Sequence, residues 1–124
     1  MQDAEHRLQC ACVRWFRYQY PHHASLLFAV PNGGRRDAVT GARLKAEGVV
    51  AGVADLLLFV PTKQHHALCI EMKTATGRQS TAQKKWQRLV EQLGYQYAVI
   101  RDFPAFEQLI KDYLANDKQE AMIT

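Results

Sequence analysis

The stretch DLLLFVPTKQHHALCIEMK, from Asp55 to Lys73, contains two apolar runs on either side of a polar segment headed by proline. This arrangement predicts a β-hairpin with a loop of about five residues. If Val60 pairs with His66, the antiparallel register places Asp55 opposite Glu71. The Cβ atoms of directly opposed residues lie roughly 4.5–5.5 Å apart, so these two carboxylates could share one cation.

Glu71 and Lys73 fall on one face of the second strand, because side chains alternate along a strand. Its other face is apolar and predicts core, with Leu68, Ile70 and Met72. An exposed ion pair is the ordinary explanation of a Glu-x-Lys pattern. However, two carboxylates crowded on an apolar hairpin would repel each other and be poorly solvated, and a bound divalent cation would remove that penalty. The residues alone leave both interpretations open.

Asp55 followed by Glu71-Met72-Lys73 resembles the signature of the PD-(D/E)xK nuclease superfamily. The segments PNGGRR (31–36), GARLKAEG (41–48), GVAD (52–55) and STAQKKW (80–86) are similar to the small stand-alone VRR-NUC proteins of phages and bacteria. Ala54 stands where the superfamily name places proline, a residue that is no ligand. The resemblance implies a restriction-endonuclease-like α/β (α+β) core, with a mixed sheet flanked by helices.

The resemblance also implies a metal site. Glu5, Asp55, Glu71 and the backbone carbonyl of Met72 would bind one or two Mg²⁺ or Mn²⁺ ions, since hard oxygen donors select hard cations. By spacing alone, an acid in the first turn of a helix is equally well explained by the helix dipole.

Lys73 and Gln83 complete the catalytic set that the resemblance implies, together with Glu5, Asp55 and Glu71. Lys73 would orient or deprotonate the attacking water and steady the charge that builds on the phosphate. Gln83 has a second explanation, because Ser80 and Gln83 match a helix capping box.

Apolar periodicity and turn residues predict the element order αβ(α)ββαβα in a single domain, 1–124. The first helix spans about Asp3 to Tyr20, with Asp3 as a plausible N-cap, and a short buried strand follows at 26–30. A second helix is expected at 37–47 and a third from Thr81 to Gly94, with Ala82, Trp86, Leu89, Val90 and Leu93 on its apolar face. The last strand (95–100) precedes a helix whose inward positions are Phe106, Leu109, Ile110, Tyr113 and Leu114, and a polar tail frays from about residue 115.

Several polar positions are candidates for DNA contact. The turn at 31–34 offers backbone N–H groups that could meet a phosphate, and two arginines follow it directly. A plain turn and solvated lysines are the ordinary alternatives. The candidates are Asn32, Gly33, Gly34, Arg35, Arg36, Arg43, Lys45, Arg78, Lys84 and Lys85.

The composition of the 124 residues, 48% hydrophobic with a net charge of +4, allows one modest core and a polyanionic partner. The three cysteines do not predict a disulfide framework, and the paired histidines at 22–23 and 65–66 are expected to be solvated loop residues. We find no signal peptide and no apolar run long enough to span a bilayer. These features predict a cytoplasmic protein, and the resemblance to VRR-NUC proteins of phages and bacteria implies a bacterial or phage-infected cell.

The resemblance implies a dimeric Holliday-junction resolvase, since stand-alone VRR-NUC proteins cut four-way DNA junctions and a two-fold dimer matches a junction with two cuts to make. A flap or other branched-DNA nuclease is the first alternative. A non-catalytic DNA-binding module is a second, although it would not need Asp55, Glu71 and Lys73. A structural or partner-binding protein gives no reason for converging acids.

Overall fold

The computed structural model describes residues 3–31 and 38–116. A four-stranded mixed sheet is flanked by helices, which confirms the predicted fold class and order, with one additional short 3₁₀ helix after the first α-helix. The elements are α1 (Asp3–Gln19), the 3₁₀ helix (Pro21–Leu26), β1 (Leu27–Ala29), α2 (Ala38–Ala46), β2 (Leu56–Leu58), β3 (Leu68–Met72), α3 (Thr81–Gln92), β4 (Gln96–Ile100) and α4 (Phe103–Leu114).

The sheet has the order β1-β2-β3-β4, with β1–β2 and β2–β3 antiparallel and β3–β4 parallel. In the hairpin, Leu56 pairs with Ile70 and Leu58 with Leu68. This register, continued by one residue, sets Asp55 opposite Glu71, as predicted. The hairpin therefore brings the two acids to the same end of the two central strands.

The hairpin loop is longer than predicted, because the β2–β3 ladder ends at Leu58 and Leu68. His66 does not continue the ladder to Val60; its backbone N–H donates to the carbonyl of Gly94 at 2.9 Å. The hydroxyl of Thr62 accepts from the backbone of Gln64 and His65 and closes a local turn. These polar groups find partners outside the ladder, so the predicted Val60–His66 pairing is wrong.

The helix α1 packs through Cys12 and Phe16, both fully buried. Asp3 lies within the helix, so the prediction that it caps the helix from outside is wrong. The 3₁₀ helix starts at Pro21, which confirms the predicted end of the first helix.

Every residue of β3 is buried, so both faces of this strand are covered. The core therefore has two parts, one on each face of the sheet. The predicted apolar face of β3 packs with α1 and α4, and α4 buries Phe106, Ile110, Tyr113 and Leu114 as expected. The other part contains Ala54, Cys69, Val90 and Tyr97 and lies under α3. Strand β1 is an edge strand on which only Leu27 is buried, so the prediction of a wholly buried strand there is wrong.

The start of α3 follows the predicted capping box, but its apolar face is only partly covered. Val90 is buried and Trp86 packs partly against it, whereas Leu89 and Leu93 are 53% and 59% exposed. The helix packs on β4, which forms the edge of the sheet opposite β1. Part of the predicted apolar stripe therefore faces outward.

The three cysteines are free thiols, as expected. Burial raises the pKa of Cys12 to about 12 and that of Cys69 to about 11, so both stay protonated at neutral pH. Among the residues described, no helix has the length and apolar character needed to cross a membrane.

Candidate active site

Asp55 is held at the open end of the hairpin, away from its loop, by two hydrogen bonds with backbone N–H groups. Its carboxylate Oδ2 accepts from the backbone N–H of Met72 at 2.6 Å, and its carbonyl accepts from the N–H of Val30 at 2.9 Å. The first bond joins the start of β2 to the end of β3. The side chain of Asp55 is thus tied to the strand that presents Glu71.

Glu71 is a fully buried carboxylate, with a side-chain exposure of 1%. Its Oε1 accepts hydrogen bonds from the Tyr97 hydroxyl and from Gln79 Nε2, the latter at 3.2 Å. Its Oε2 has no hydrogen-bond partner and lies 3.8 Å from the Lys73 ammonium. An exposed Glu71–Lys73 ion pair, the ordinary interpretation of the sequence, is therefore excluded.

The acids at this end of the sheet influence one another electrostatically. Burial raises the pKa of Asp55, and the charges of Glu71 and Glu5 raise it further, while the Met72 N–H and the Lys73 ammonium oppose the rise. The contribution of Glu5 places the start of α1 within electrostatic reach of Asp55. Glu5 is half-buried, so it is not part of the fully solvated face of α1.

Tyr97 is held in its protonated form. Burial raises the pKa of its hydroxyl, and the hydrogen bond that it donates to Glu71 raises it further. The hydroxyl therefore serves as a permanent donor to Glu71 Oε1 and not as a base.

A preassembled three-ligand metal cluster is not observed. Within residues 3–31 and 38–116, no three His, Cys, Asp or Glu side chains are grouped so that they could hold a metal ion. Glu71 Oε2 nevertheless has the properties of a ligand atom, because it is a buried carboxylate oxygen that accepts no hydrogen bond and lies beside a second carboxylate. Asp55 and Glu71 thus fit a hard divalent cation, and the ligand roles of Glu5 and the Met72 carbonyl stay predictions.

Lys73 lies at the junction between β3 and the following loop, and its side chain is only 13% exposed. Its backbone N–H donates to the Ile100 carbonyl at 3.0 Å. The loop beyond it is held by Arg101, whose Nη1 donates to the carbonyls of Thr74 and Gly77, both at 2.7 Å. Arg101, which our sequence reasoning did not identify, therefore supports the backbone that carries Lys73.

Gln83 forms the predicted capping box. Its Oε1 accepts from the Ser80 N–H at 2.7 Å, while its own N–H donates to Ser80 Oγ at 3.1 Å. A contribution of Gln83 to catalysis stays a prediction.

The glutamine that does contact the site is Gln79, which the sequence analysis missed. Its Nε2 donates to Glu71 and also to Gln87 Oε1 at 2.8 Å. Neither Gln79 nor Tyr97 has a local sequence signal for this role, because Gln79 is in a loop and Tyr97 alternates like an ordinary core residue of a strand.

The predicted cationic DNA contacts that the structure describes are exposed. They are Arg43 and Lys45 on α2, Arg78 in the loop before α3, and Lys84 and Lys85 on α3. The turn positions Asn32, Gly33, Gly34, Arg35 and Arg36 lie outside the described residues. DNA contact by either group stays a prediction.

Comparison with known proteins identifies the family and the fold of the chain. A model of the VRR-NUC domain matches residues 3–103. A solved structure described as a VRR_NUC domain protein aligns with a TM-score of 0.81 over 94% of this chain and 93% of that chain, at 21% identity, which shows a common fold. No curated protein matches the sequence significantly. With a nuclease-type fold and a family match that covers most of its length, the chain belongs to the VRR-NUC family.

Proposed function

We propose that the protein is a metal-dependent, structure-selective DNA endonuclease that hydrolyses phosphodiester bonds. The observation that supports this most directly is the buried Glu71 carboxylate, which sits across the hairpin from Asp55 and 3.8 Å from the Lys73 ammonium. A buried carboxylate with one oxygen that accepts no hydrogen bond is costly to maintain. A binding role for that oxygen gives a reason for its presence.

In this proposal Asp55 and Glu71 bind Mg²⁺ or Mn²⁺, with Glu5 and the Met72 carbonyl as further ligands. When bound, the ion supplies Lewis-acid activation of the scissile phosphate and stabilisation of the leaving 3′ oxygen. Lys73 orients the attacking water through its ammonium group and stabilises the negative charge that builds on the phosphate. Arg101 fixes the loop after Lys73 and so limits how far this ammonium moves.

Branched DNA, and a four-way junction above all, is the substrate that we favour. The sequence has no base-reading module, and a 14.1 kDa chain with one site recognises a symmetric shape best as a two-fold dimer. The likeness to stand-alone VRR-NUC proteins supports the same substrate. The exposed lysines and arginines of α2, α3 and the loop before α3 would supply phosphate contacts.

The test is cleavage of four-way junction, flap and linear duplex DNA by the full chain with Mg²⁺, Mn²⁺ or EDTA. We expect junction cutting that requires a divalent ion and falls by about 10²–10⁴-fold in Lys73→Ala, the usual range for loss of such a group. Lys63→Ala is the matched control, because Lys63 is an exposed lysine in the hairpin loop at the other end of β2 and β3. It should cut like the wild type.

Three outcomes would contradict parts of the proposal. No cleavage of any substrate with either ion favours the non-catalytic DNA-binding module. Cleavage restricted to flaps removes the junction assignment and leaves the nuclease. A solution mass equal to one chain, with or without junction DNA, removes the dimer.

A further inference from the structure

The two oxygens of Glu71 have different surroundings. Oε1 accepts from both Tyr97 and Gln79, whereas Oε2 accepts no hydrogen bond. We propose that Tyr97 and Gln79 are positioning residues that restrict Glu71 to one-oxygen ligation and thereby bias the site toward Mg²⁺ over Ca²⁺. This inference rests on the proposed function, since it assigns the ion preference of the same site.

Tyr97 is placed for this role by the parallel pairing of β3 and β4. Cys69 lies beside Tyr97 and Glu71 beside Val99, so Glu71 and Tyr97 project from neighbouring strands on the same face of the sheet. Tyr97 is 8% exposed and packs edge-to-face with Trp86 of α3, with ring centroids 6.1 Å apart. Its ring cannot move away from Glu71 without disturbing that packing.

Gln79 is oriented by a second glutamine. Its amide nitrogen has two hydrogens, and these go to Glu71 Oε1 and Gln87 Oε1. Gln87 is held in turn by a bond from its Nε2 to Glu91 Oε2 at 3.2 Å. This chain of hydrogen bonds runs from the surface of α3 to the buried carboxylate and keeps the amide nitrogen of Gln79 directed at Oε1.

The consequence for ion choice follows from coordination chemistry. Mg²⁺ is small, keeps several waters and takes few carboxylate oxygens, whereas Ca²⁺ takes six to eight oxygen ligands and often binds a carboxylate through both oxygens. With Oε1 engaged twice, Glu71 offers a single oxygen. Removing the Tyr97 hydroxyl releases one of the two donors and makes ligation by both oxygens easier.

The experiment is a calorimetric titration of the full chain with Mg²⁺ and with Ca²⁺, for wild type and Tyr97→Phe. We expect the ratio of the two affinities to move toward Ca²⁺ by about tenfold, within the 10–100-fold effects typical of groups that hold metal ligands. Tyr113→Phe is the matched control, because Tyr113 is also a buried tyrosine but donates its hydroxyl to the Val60 carbonyl. It should leave both affinities unchanged.

Gln79→Ala provides a second test that leaves the hydrophobic core unchanged, because Gln79 lies in the loop before α3. It should move the affinity ratio in the same direction as Tyr97→Phe. A ratio that stays within twofold of wild type in both variants, or that moves equally in Tyr113→Phe, overturns the inference and leaves the nuclease proposal intact. A wild type that binds neither ion overturns the proposed function itself.

Discussion

Replacing Gly52 with alanine should damage the protein far more than replacing Gly48, although both glycines have left-handed backbone conformations. Gly52 has a φ of +87° and Gly48 a φ of +105°. A Cβ on Gly52 would lie 2.6 Å from the backbone carbonyl of Ala82 and 2.9 Å from the N–H nitrogen of Gln83, whereas a Cβ on Gly48 meets nothing within 4 Å. Of these two glycines, Gly52 alone therefore combines backbone strain with a collision, which is against the first turn of α3.

The magnitudes differ accordingly. Left-handed backbone strain costs about 1–2 kcal/mol in both variants. Alanine also lowers the conformational entropy of the unfolded chain, which offsets about 0.4–1 kcal/mol of that cost. Gly48→Ala should therefore lose about 1 kcal/mol of unfolding free energy. Gly52→Ala should lose a further 1–3 kcal/mol, roughly, because the new Cβ collides with backbone atoms of α3 and either the loop or the helix has to shift.

Urea unfolding followed by far-ultraviolet circular dichroism measures both changes. Gly52 lies three residues before Asp55, so its displacement should also move that carboxylate relative to Glu71. A misplacement of about 1 Å costs on the order of 10²-fold in rate. We therefore expect Gly52→Ala to lose DNA cleavage even where it is folded, while Gly48→Ala keeps it. Equal losses of stability in the two variants would refute the close approach of this loop to α3.

Two further predictions concern single side chains. The pKa of the Asp55 carboxyl is raised in the folded state, so the folded chain holds the carboxyl proton more tightly than the unfolded chain does. The unfolding free energy should therefore fall as pH rises above the ordinary value of 3.8 and Asp55 ionises. Because asparagine does not ionise, the unfolding free energy of Asp55→Asn minus that of wild type should increase with pH from that value and then level off. Urea unfolding from pH 3 to pH 8 without divalent ions measures this difference. A difference that decreases with pH would contradict the argument that burial raises the pKa of Asp55. Ser80→Ala and Gln83→Ala each break one half of the same capping box, and Ser80→Ala should cost about 1 kcal/mol. If Gln83 contributes to catalysis, Gln83→Ala should lose more cleavage than Ser80→Ala at matched stability; equal cleavage leaves Gln83 as a capping residue alone.

The sequence was sufficient for those parts of the fold that depend on local rules. Alternation with a period of two fixes which residues of β3 face α1 and α4, and the register assumed for the hairpin correctly placed Asp55 opposite Glu71. The capping box and Pro21 marked helix ends, since each acts within a few residues. These features need no knowledge of the rest of the molecule.

The surroundings of Glu71 could not be predicted in the same way. Tyr97 reaches it through the parallel register of β3 and β4, two strands that are connected through a loop and the whole of α3. The exposure of Leu89 and Leu93 depends on how much surface covers α3, whereas periodicity shows only that a helix face is apolar. Burial itself, which excluded the exposed ion pair, depends on α3 lying over this face of the sheet.

The burial of Glu71 links the stability of the protein to its proposed chemistry. A carboxylate on the fully buried strand β3 is tolerated because Tyr97 and Gln79 satisfy one oxygen and the Lys73 ammonium lies near the other. The second oxygen accepts no hydrogen bond, and the Lys73 ammonium 3.8 Å away offsets its burial only in part. A ligand that binds only the folded state stabilises it by RT ln(1 + [L]/Kd), which is about 2.7 kcal/mol at a concentration of one hundred times Kd. The buried Glu71 oxygen that accepts no hydrogen bond therefore lowers the stability of the metal-free protein and is also the atom that would bind a cation.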